Sequence, residues 1–243
     1  SSERVSFSLL KVPRLWMRLP LFQGGAVRNS IRAARSRVDA GRESLERRVP
    51  YTAADLVDYS PVTKARVGEG GMALGALCEA ALTLSDNTAG NLMLKSLGGP
   101  QGITEFARSL GDTMTRLDRF ETELNEALPG DPRDTTTPRS MMSNLQKLVF
   151  GDVLSAASKD QLTKWLLANK TGDTRLRAGL PAGWRVGDKT GSGERGTTND
   201  IGVVWAPNRT PVVIAVYLTG TSASAEKRNA TLAAVGRALT SGG

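Results

Sequence analysis

Residues 184–218 read WRVGDKTGSGERGTTNDIGVVWAPNRTPVVIAVYL, and their texture decides the fold class. Trp184–Thr190, Asp200–Trp205 and Val212–Leu218 are strand-like runs, and Pro207-Asn208 marks the turn between the last two. Connections this short join neighbouring antiparallel strands, since a parallel pair needs a crossover of a dozen residues or more. Residues 222–239 form a closing amphipathic helix. Upstream the period changes from two to about 3.6. Leu74, Leu77, Cys78, Ala81 and Leu82 mark one buried helical face ending near Ser85. A second helix runs from about Asn87 to the stop signal Gly98-Gly99, and Pro100 suits the first turn of a third. Thr137-Pro138 opens another, and Ser158 is expected to cap the one holding Leu162, Trp165 and Leu166. Helices packed on an antiparallel sheet, plus a mostly helical lobe, give an α/β fold of the α+β type.

Three segments follow from this reading. Residues 1–37 are a basic leader, 38–182 a mostly helical lobe, and 183–243 the strands and closing helix. Residues 116–135 are polar, carry Pro129, Gly130 and Pro132, and read as a long functional loop. The charge is uneven. The whole chain has 32 Lys+Arg against 24 Asp+Glu, a net +8. The leader holds eight basic residues and one acid, so it carries +7 and the remainder only +1. The body therefore lacks the basic footprint of a nucleic-acid-binding protein. The leader, with Phe7, Trp16 and Phe22 interleaved, reads either as a nucleic-acid or membrane-surface arm or as replaced, out-of-frame text. No apolar run approaches a membrane span, and no signal-peptide core stands at the start. Residue 1 is Ser, which reads as a processed, truncated or engineered chain.

The absences narrow the chemistry further. The 243 residues include no histidine and one cysteine, Cys78. Ser-His-Asp and Cys-His catalysis are excluded, as are His-containing zinc sites and an intrachain disulfide. Proton transfer must fall to carboxylates, lysines, tyrosines or hydroxyls. Three short strings could carry it: Ser85-Asp86-Asn87, Glu121-Thr-Glu-Leu-Asn125, and Lys189-Thr190-Gly191-Ser192-Gly193. Taken singly, the first is a helix cap, the second a solvated loop and the third a strand ending in a Gly-rich turn. The last is not a P-loop, because Asp188 stands where that motif needs Gly.

In this order, a Ser-Asp-Asn and a Lys-Thr-Gly belong to the signature of class A β-lactamases and penicillin-binding proteins. From about Val38 onward the chain resembles a class A serine β-lactamase. Tyr59-Ser60-Pro61-Val62-Thr63, Asp134-Thr-Thr-Thr-Pro138 and Leu180-Pro-Ala-Gly-Trp184 carry the resemblance too. It implies hydrolysis of β-lactams through an acyl-enzyme, by a cofactor-free monomer acting in the periplasm or outside the cell. Glu121 resembles the general base, with Asn125 helping to hold its water. Ser85 would relay a proton to the departing nitrogen and Asn87 would hold the substrate's side-chain amide. Lys189, Thr190, Gly191 and Ser192 would bind the substrate carboxylate, aided by Arg175, with the Ser192 N–H in the oxyanion hole. Tyr59 would line the cleft, and Arg119 and Asp134 would pin the ends of the loop.

One part of the family signature is absent where it is expected. The Ser-x-x-Lys that supplies the nucleophile should fall near residues 23–27, which read Gln23-Gly24-Gly25-Ala26-Val27. Ser8–Lys11 and Ser224–Lys227 match the spacing elsewhere. Pro13 disturbs a helix at the first, and the second lies in the closing helix. The nucleophile helix and the first two sheet strands therefore read as missing or replaced. Two functions stay open: a β-lactam hydrolase, and a module that binds β-lactams or cell-wall ligands without cleaving them. A D-Ala-D-Ala peptidase is the nearest relative, but Glu121 and Asn125 favour the hydrolase.

Overall fold

The computed structural model describes Ala34, residues 36–240 and the backbone of Leu19–Pro20. Ser8–Lys11, Gln23–Val27, and with them the expected loss of strands and nucleophile helix, lie outside the described residues. Strands β1 (Leu19–Pro20), β2 (Arg48–Val49) and β3 (Met72–Ala73) are short. Helices α1 (Leu74–Thr83), α2 (Asn87–Ser96) and α3 (Gly99–Ser109) follow. After the loop come β4 (Thr135–Thr136), α4 (Pro138–Val149) and α5 (Ala156–Leu167). The chain then forms β5 (Arg185–Ser192), β6 (Thr198–Trp205), β7 (Val212–Leu218) and α6 (Ala225–Ala238).

The strands β5, β6 and β7 form one antiparallel sheet in that order, with Lys189 opposite Ile201 and Ile201 opposite Ala215. Both β5 and β6 run longer than their apolar text predicts, because pairing continues through Gly191↔Asn199 and Ser192↔Thr198. Side chains alternate between two faces. Ile201 and Val203 face the helices and join the main core with Leu162, Leu166, Leu74, Leu77 and Leu82. Val186, Val204 and Ile214 face the other way and pack with Leu176, Leu180, Trp184 and Leu239. Each fully buried Leu contributes on the order of 2 kcal/mol by leaving water, so α1, buried along Leu74, Leu77, Cys78, Ala81 and Leu82, is the central pillar.

The helix ends follow cap chemistry. Thr137 caps α4 with Pro138 in the first turn, and Asp86 caps α2. The cap of α5 is Ser155, not Ser158: the Ser155 hydroxyl accepts from the Ser158 N–H at 3.2 Å. Ser158 is buried in the first turn and donates its hydroxyl to Asp39, which also takes the Ser155 N–H and hydroxyl. The three-residue spacing of the serines explains the displacement, since the cap hydroxyl and the N–H that donates to it sit one turn apart.

Helix α6 closes over the sheet by pressing on the turn Leu176–Gly179. A Cβ on Gly179 would stand 1.9 Å from the Ala233 carbonyl oxygen, so no side chain fits there. Gly179→Ala is expected to cost at least ~2 kcal/mol as helix and turn are forced apart. Urea denaturation reads this as a lower midpoint; an unchanged midpoint would show that the contact is loose.

Candidate active site

The site begins at the N-terminus of α2. Asp86 is fully buried and its carboxylate accepts four hydrogen bonds: from the Ala89 N–H at 2.8 Å, the Val62 and Thr63 N–H groups at 2.9 Å each, and the Thr63 hydroxyl at 2.8 Å. One side chain thus caps the helix and ties the segment after Tyr59 to it. The Ser60 hydroxyl adds a bond to the Thr88 hydroxyl at 2.7 Å. Asn87 donates its side-chain N–H to the Asp58 carbonyl at 2.8 Å and its backbone N–H to the Tyr59 carbonyl at 3.0 Å. Ser85, immediately before the cap, has φ +56°, a left-handed conformation that costs a non-glycine residue about 1 kcal/mol or more.

Lys189 crosses from the sheet to this point. It projects from β5 on the face shared with Ile201, is fully buried, and its Nζ donates to the Ser85 Oγ at 2.5 Å and to the Thr190 carbonyl at 2.7 Å. Its neighbour Asp188 faces the other way, bonded by Arg177 at 2.5 Å and Asn169 at 3.1 Å. Burial pushes the Asp188 carboxyl up, against the pull of Arg177. Thr190 meets the Thr171 hydroxyl at 2.5 Å. Arg175 lies alongside and donates to the Gly191 carbonyl at 2.8 Å, the Asn199 carbonyl at 2.6 Å, the Ser192 Oγ at 2.6 Å and Asn229 at 3.1 Å. Burial draws its guanidinium below the ordinary arginine value, with Asp200 and Asp188 opposing.

The loop supplies the carboxylate. Arg119 bonds Asp134 at 2.6 Å, and Asp134 also accepts the Asp118 and Arg119 N–H groups at 2.7 and 3.0 Å. This closes the loop at its base. Asn91, one turn along α2 from Asn87, grips the middle: its Oδ1 accepts the Glu121 N–H at 2.8 Å and its Nδ2 donates to the Glu121 carbonyl at 2.9 Å. Glu121 is 3 % exposed, and its Oε2 accepts from the Asn125 Nδ2 at 2.6 Å. Its Oε1 and the Asn125 Oδ1 are buried without a hydrogen-bond partner among the described residues. Burial lifts the Glu121 carboxyl from 4.5 to about 7, with Asn125 and the charge of Lys189 pulling it back. Two buried acceptors and a carboxyl titrating near neutrality are the chemistry that suits binding a water and taking its proton.

Of the residues singled out in the sequence, Ser85 and Lys189 are in direct contact, as are Glu121 and Asn125, Arg119 and Asp134, and Arg175 and Ser192. Asn87 stands on α2 beside Ser85, and Gly191 contributes its carbonyl to Arg175. Tyr59 is 60 % exposed, and its carbonyl joins the network described. Ser224 of the spare Ser-x-x-Lys is the exposed cap of α6, accepting from the Lys227 N–H. Sequence reasoning missed Asn91, Thr171, Asn169 and Arg177. Asn91 left a signal: a polar residue four after Asn87 shares its helical face. Among the described residues no His, Cys, Asp and Glu cluster could hold a metal ion, and no helix is long and apolar enough to cross a membrane.

Residues 32–241 match the pattern described as the Beta-lactamase enzyme family. Beta-lactamase AST-1 of Nocardia asteroides is 57% identical over 191 residues, covering 79% of this chain. The chain spans 61% of that relative's length. Among solved structures, an ancestral (GNCA) class A β-lactamase aligns with a TM-score of 0.90 at 58% identity, over 93% of this chain and 86% of that one. The last common ancestor of Gram-negative bacteria (GNCA4) class A β-lactamase gives 0.89 at 58% identity, over 92% and 85%.

The raised Glu121 carboxyl has a thermodynamic consequence. Folded chain holds this proton to about pH 7 and unfolded chain only to about 4.5. Its contribution is complete below the unfolded value and is lost as pH rises through the folded one, a loss of roughly 3 kcal/mol by pH 8. Glu121→Gln carries no such proton, so it should gain on the parent as pH climbs from 5 to 8. Melting temperatures across that range measure the divergence; parallel curves would place the carboxyl near its ordinary value.

Proposed function

Because the chain belongs to the class A branch of the Beta-lactamase enzyme family, we propose that it hydrolyses β-lactams through an acyl-enzyme, with Glu121 as general base. The observation that carries this reading is the buried, unpartnered Glu121 Oε1 beside the Asn125 Oδ1. A water held there gives its proton to Glu121 as its oxygen attacks the acyl carbon. The backbone clamp of Asn91 keeps that oxygen in place, which is where proton transfer gains its 10²- to 10⁴-fold advantage.

Ring opening needs a proton at the departing nitrogen, and the Ser85–Lys189 pair supplies it. Lys189, Thr190, Gly191, Ser192 and Arg175 form the carboxylate end of the cleft, where two cations meet the substrate's charge. The Ser192 N–H polarises the lactam carbonyl, Asn87 receives the side-chain amide, and Tyr59 covers the rim. Such a protein works as a monomer in the periplasm or outside the cell, without metal or cofactor, and protects against β-lactam antibiotics. Gln23–Val27 in place of a Ser-x-x-Lys favours a second reading, in which the same groups bind a β-lactam without opening it.

Nitrocefin separates the two. Hydrolysis by the purified chain, lowered at least ~100-fold by Glu121→Gln, supports the hydrolase. Absence of turnover with calorimetric binding of a penicillin would establish the binding module instead, and neither turnover nor binding would refute both.

A further inference from the structure

We propose that Thr171 is a positioning residue for substrate recognition: its oxygen holds the Thr190 hydroxyl proton away from the cleft, and an arriving carboxylate has to turn that proton round. The inference rests on the β-lactam reading above, which makes Thr190 a ligand of the substrate carboxylate.

Donor and acceptor chemistry fixes the direction of each bond in this chain of side chains. The Thr171 N–H reaches one amide atom of Asn169 at 3.1 Å. An N–H only donates, so that atom is the amide oxygen Oδ1. The Asn169 Nδ2 accordingly faces Asp188 and donates to its Oδ1 at 3.1 Å. The Thr171 hydroxyl lies 2.8 Å from the same Asn169 oxygen, which can only accept, so this bond uses the one proton that hydroxyl has. The 2.5 Å contact between the Thr171 and Thr190 hydroxyls then has a single direction: Thr190 donates and Thr171 accepts.

Ser192 stands in the opposite state. A guanidinium offers no acceptor, so in the 2.6 Å bond from Arg175 the Ser192 oxygen accepts, and that bond leaves its proton unused. One hydroxyl at the carboxylate end of the cleft is thus ready to donate, while the other already donates elsewhere. The arrangement satisfies Thr190, which is 4 % exposed, while the cleft is empty.

The holding chain is anchored along its length. Asp188 and Thr190 stand two apart on β5 and share a face. Arg177 bonds Asp188 at 2.5 Å and the Asn169 carbonyl at 2.9 Å, and the Lys170 N–H bonds the Thr83 carbonyl at 2.9 Å. A Cβ on Gly172 would stand 1.8 Å from the Asp188 Oδ2, so the segment carrying Thr171 lies flush on the strand. Release therefore comes by rotation of hydroxyls and not by withdrawal of the segment. The Thr190 proton turns to the substrate carboxylate, the Thr171 proton turns to the Thr190 oxygen, and Asn169 Oδ1 keeps the Thr171 N–H alone. A charge-assisted bond is gained and a neutral one given up, which leaves affinity below what a free Thr190 would give.

The test is the affinity of the full chain for benzylpenicillin, taken as KM where it is turned over and as a calorimetric Kd where it is only bound. Thr171→Val keeps the side-chain shape and removes the acceptor, so it should bind about 2- to 10-fold more tightly, with any kcat unchanged. Thr171→Ala should move the same way, and Thr171→Ser, which restores the hydroxyl, should match the parent. The gain should vanish in Thr171→Val/Thr190→Val. A purely structural role predicts the reverse sign, because loss of the hydroxyl loosens the mooring of β5. A neutron structure of the unliganded chain should place the Thr190 deuteron on the Thr171 side. Unchanged or weaker binding by folded Thr171→Val and Thr171→Ala, a gain that survives without the Thr190 hydroxyl, or a deuteron pointing into the cleft would overturn the inference and leave the β-lactam reading standing. Absence of binding and turnover in the parent and every variant would fell both.

Discussion

The bond from Lys189 to Ser85 joins the sheet to the helices, and the rest of the site is arranged around it. Lys189 is fully buried, so its amine must be placed as accurately as any core side chain. On the sheet side, β5 stays paired with β6 through Ser192, and Asp188, held by Arg177 and Asn169, anchors the strand from its other face. The helical side is fixed by Asp86, whose carboxylate satisfies a cap and a neighbouring loop at once. Remove either anchor and the lysine faces a buried partner that has moved.

The loop follows a different rule. Its backbone is heavily bonded, by Arg119–Asp134 at the base and by Asn91 at the centre, while Glu121 Oε1 has no partner among the described residues. A protein selected for stability alone would fill that acceptor or replace the carboxyl, because burial of an unsatisfied carboxylate opposes folding. The chain instead surrounds a poorly stabilised group with a rigid frame. That combination gives a carboxyl whose titration lies near neutrality and whose backbone is clamped in place.

Much of this was legible in the sequence, and the limits have physical causes. Val212–Leu218, the Thr137 cap and the start of α2 at Asn87 were read correctly because apolar period and cap chemistry are local. The ends of β5 and β6 were read short, since Thr190–Ser192 and Thr198–Asn199 are held by pairing and not by apolar text. The pattern at Ser158 predicts a cap that Ser155 supplies, one turn earlier. The chemical residues stood out as motifs, but their supports did not. Asn91 clamps a loop thirty residues away, and Arg177 reaches Asp188 from a turn before the sheet, contacts that no local spacing encodes. The net charge proved informative by its distribution: with +7 in the first 37 residues, it says little about the cleft.

A crystal structure of the chain with a bound penicillin tests the central claim most directly, because it reports every contact at once. The account predicts the substrate carboxylate against Thr190, Ser192 and Arg175, the lactam nitrogen beside the Ser85–Lys189 pair, and a water between the Glu121 Oε1 and the Asn125 Oδ1. Penicillin density that avoids the Ser85–Lys189 pair, or an intact lactam lying outside the reach of Glu121, would contradict it.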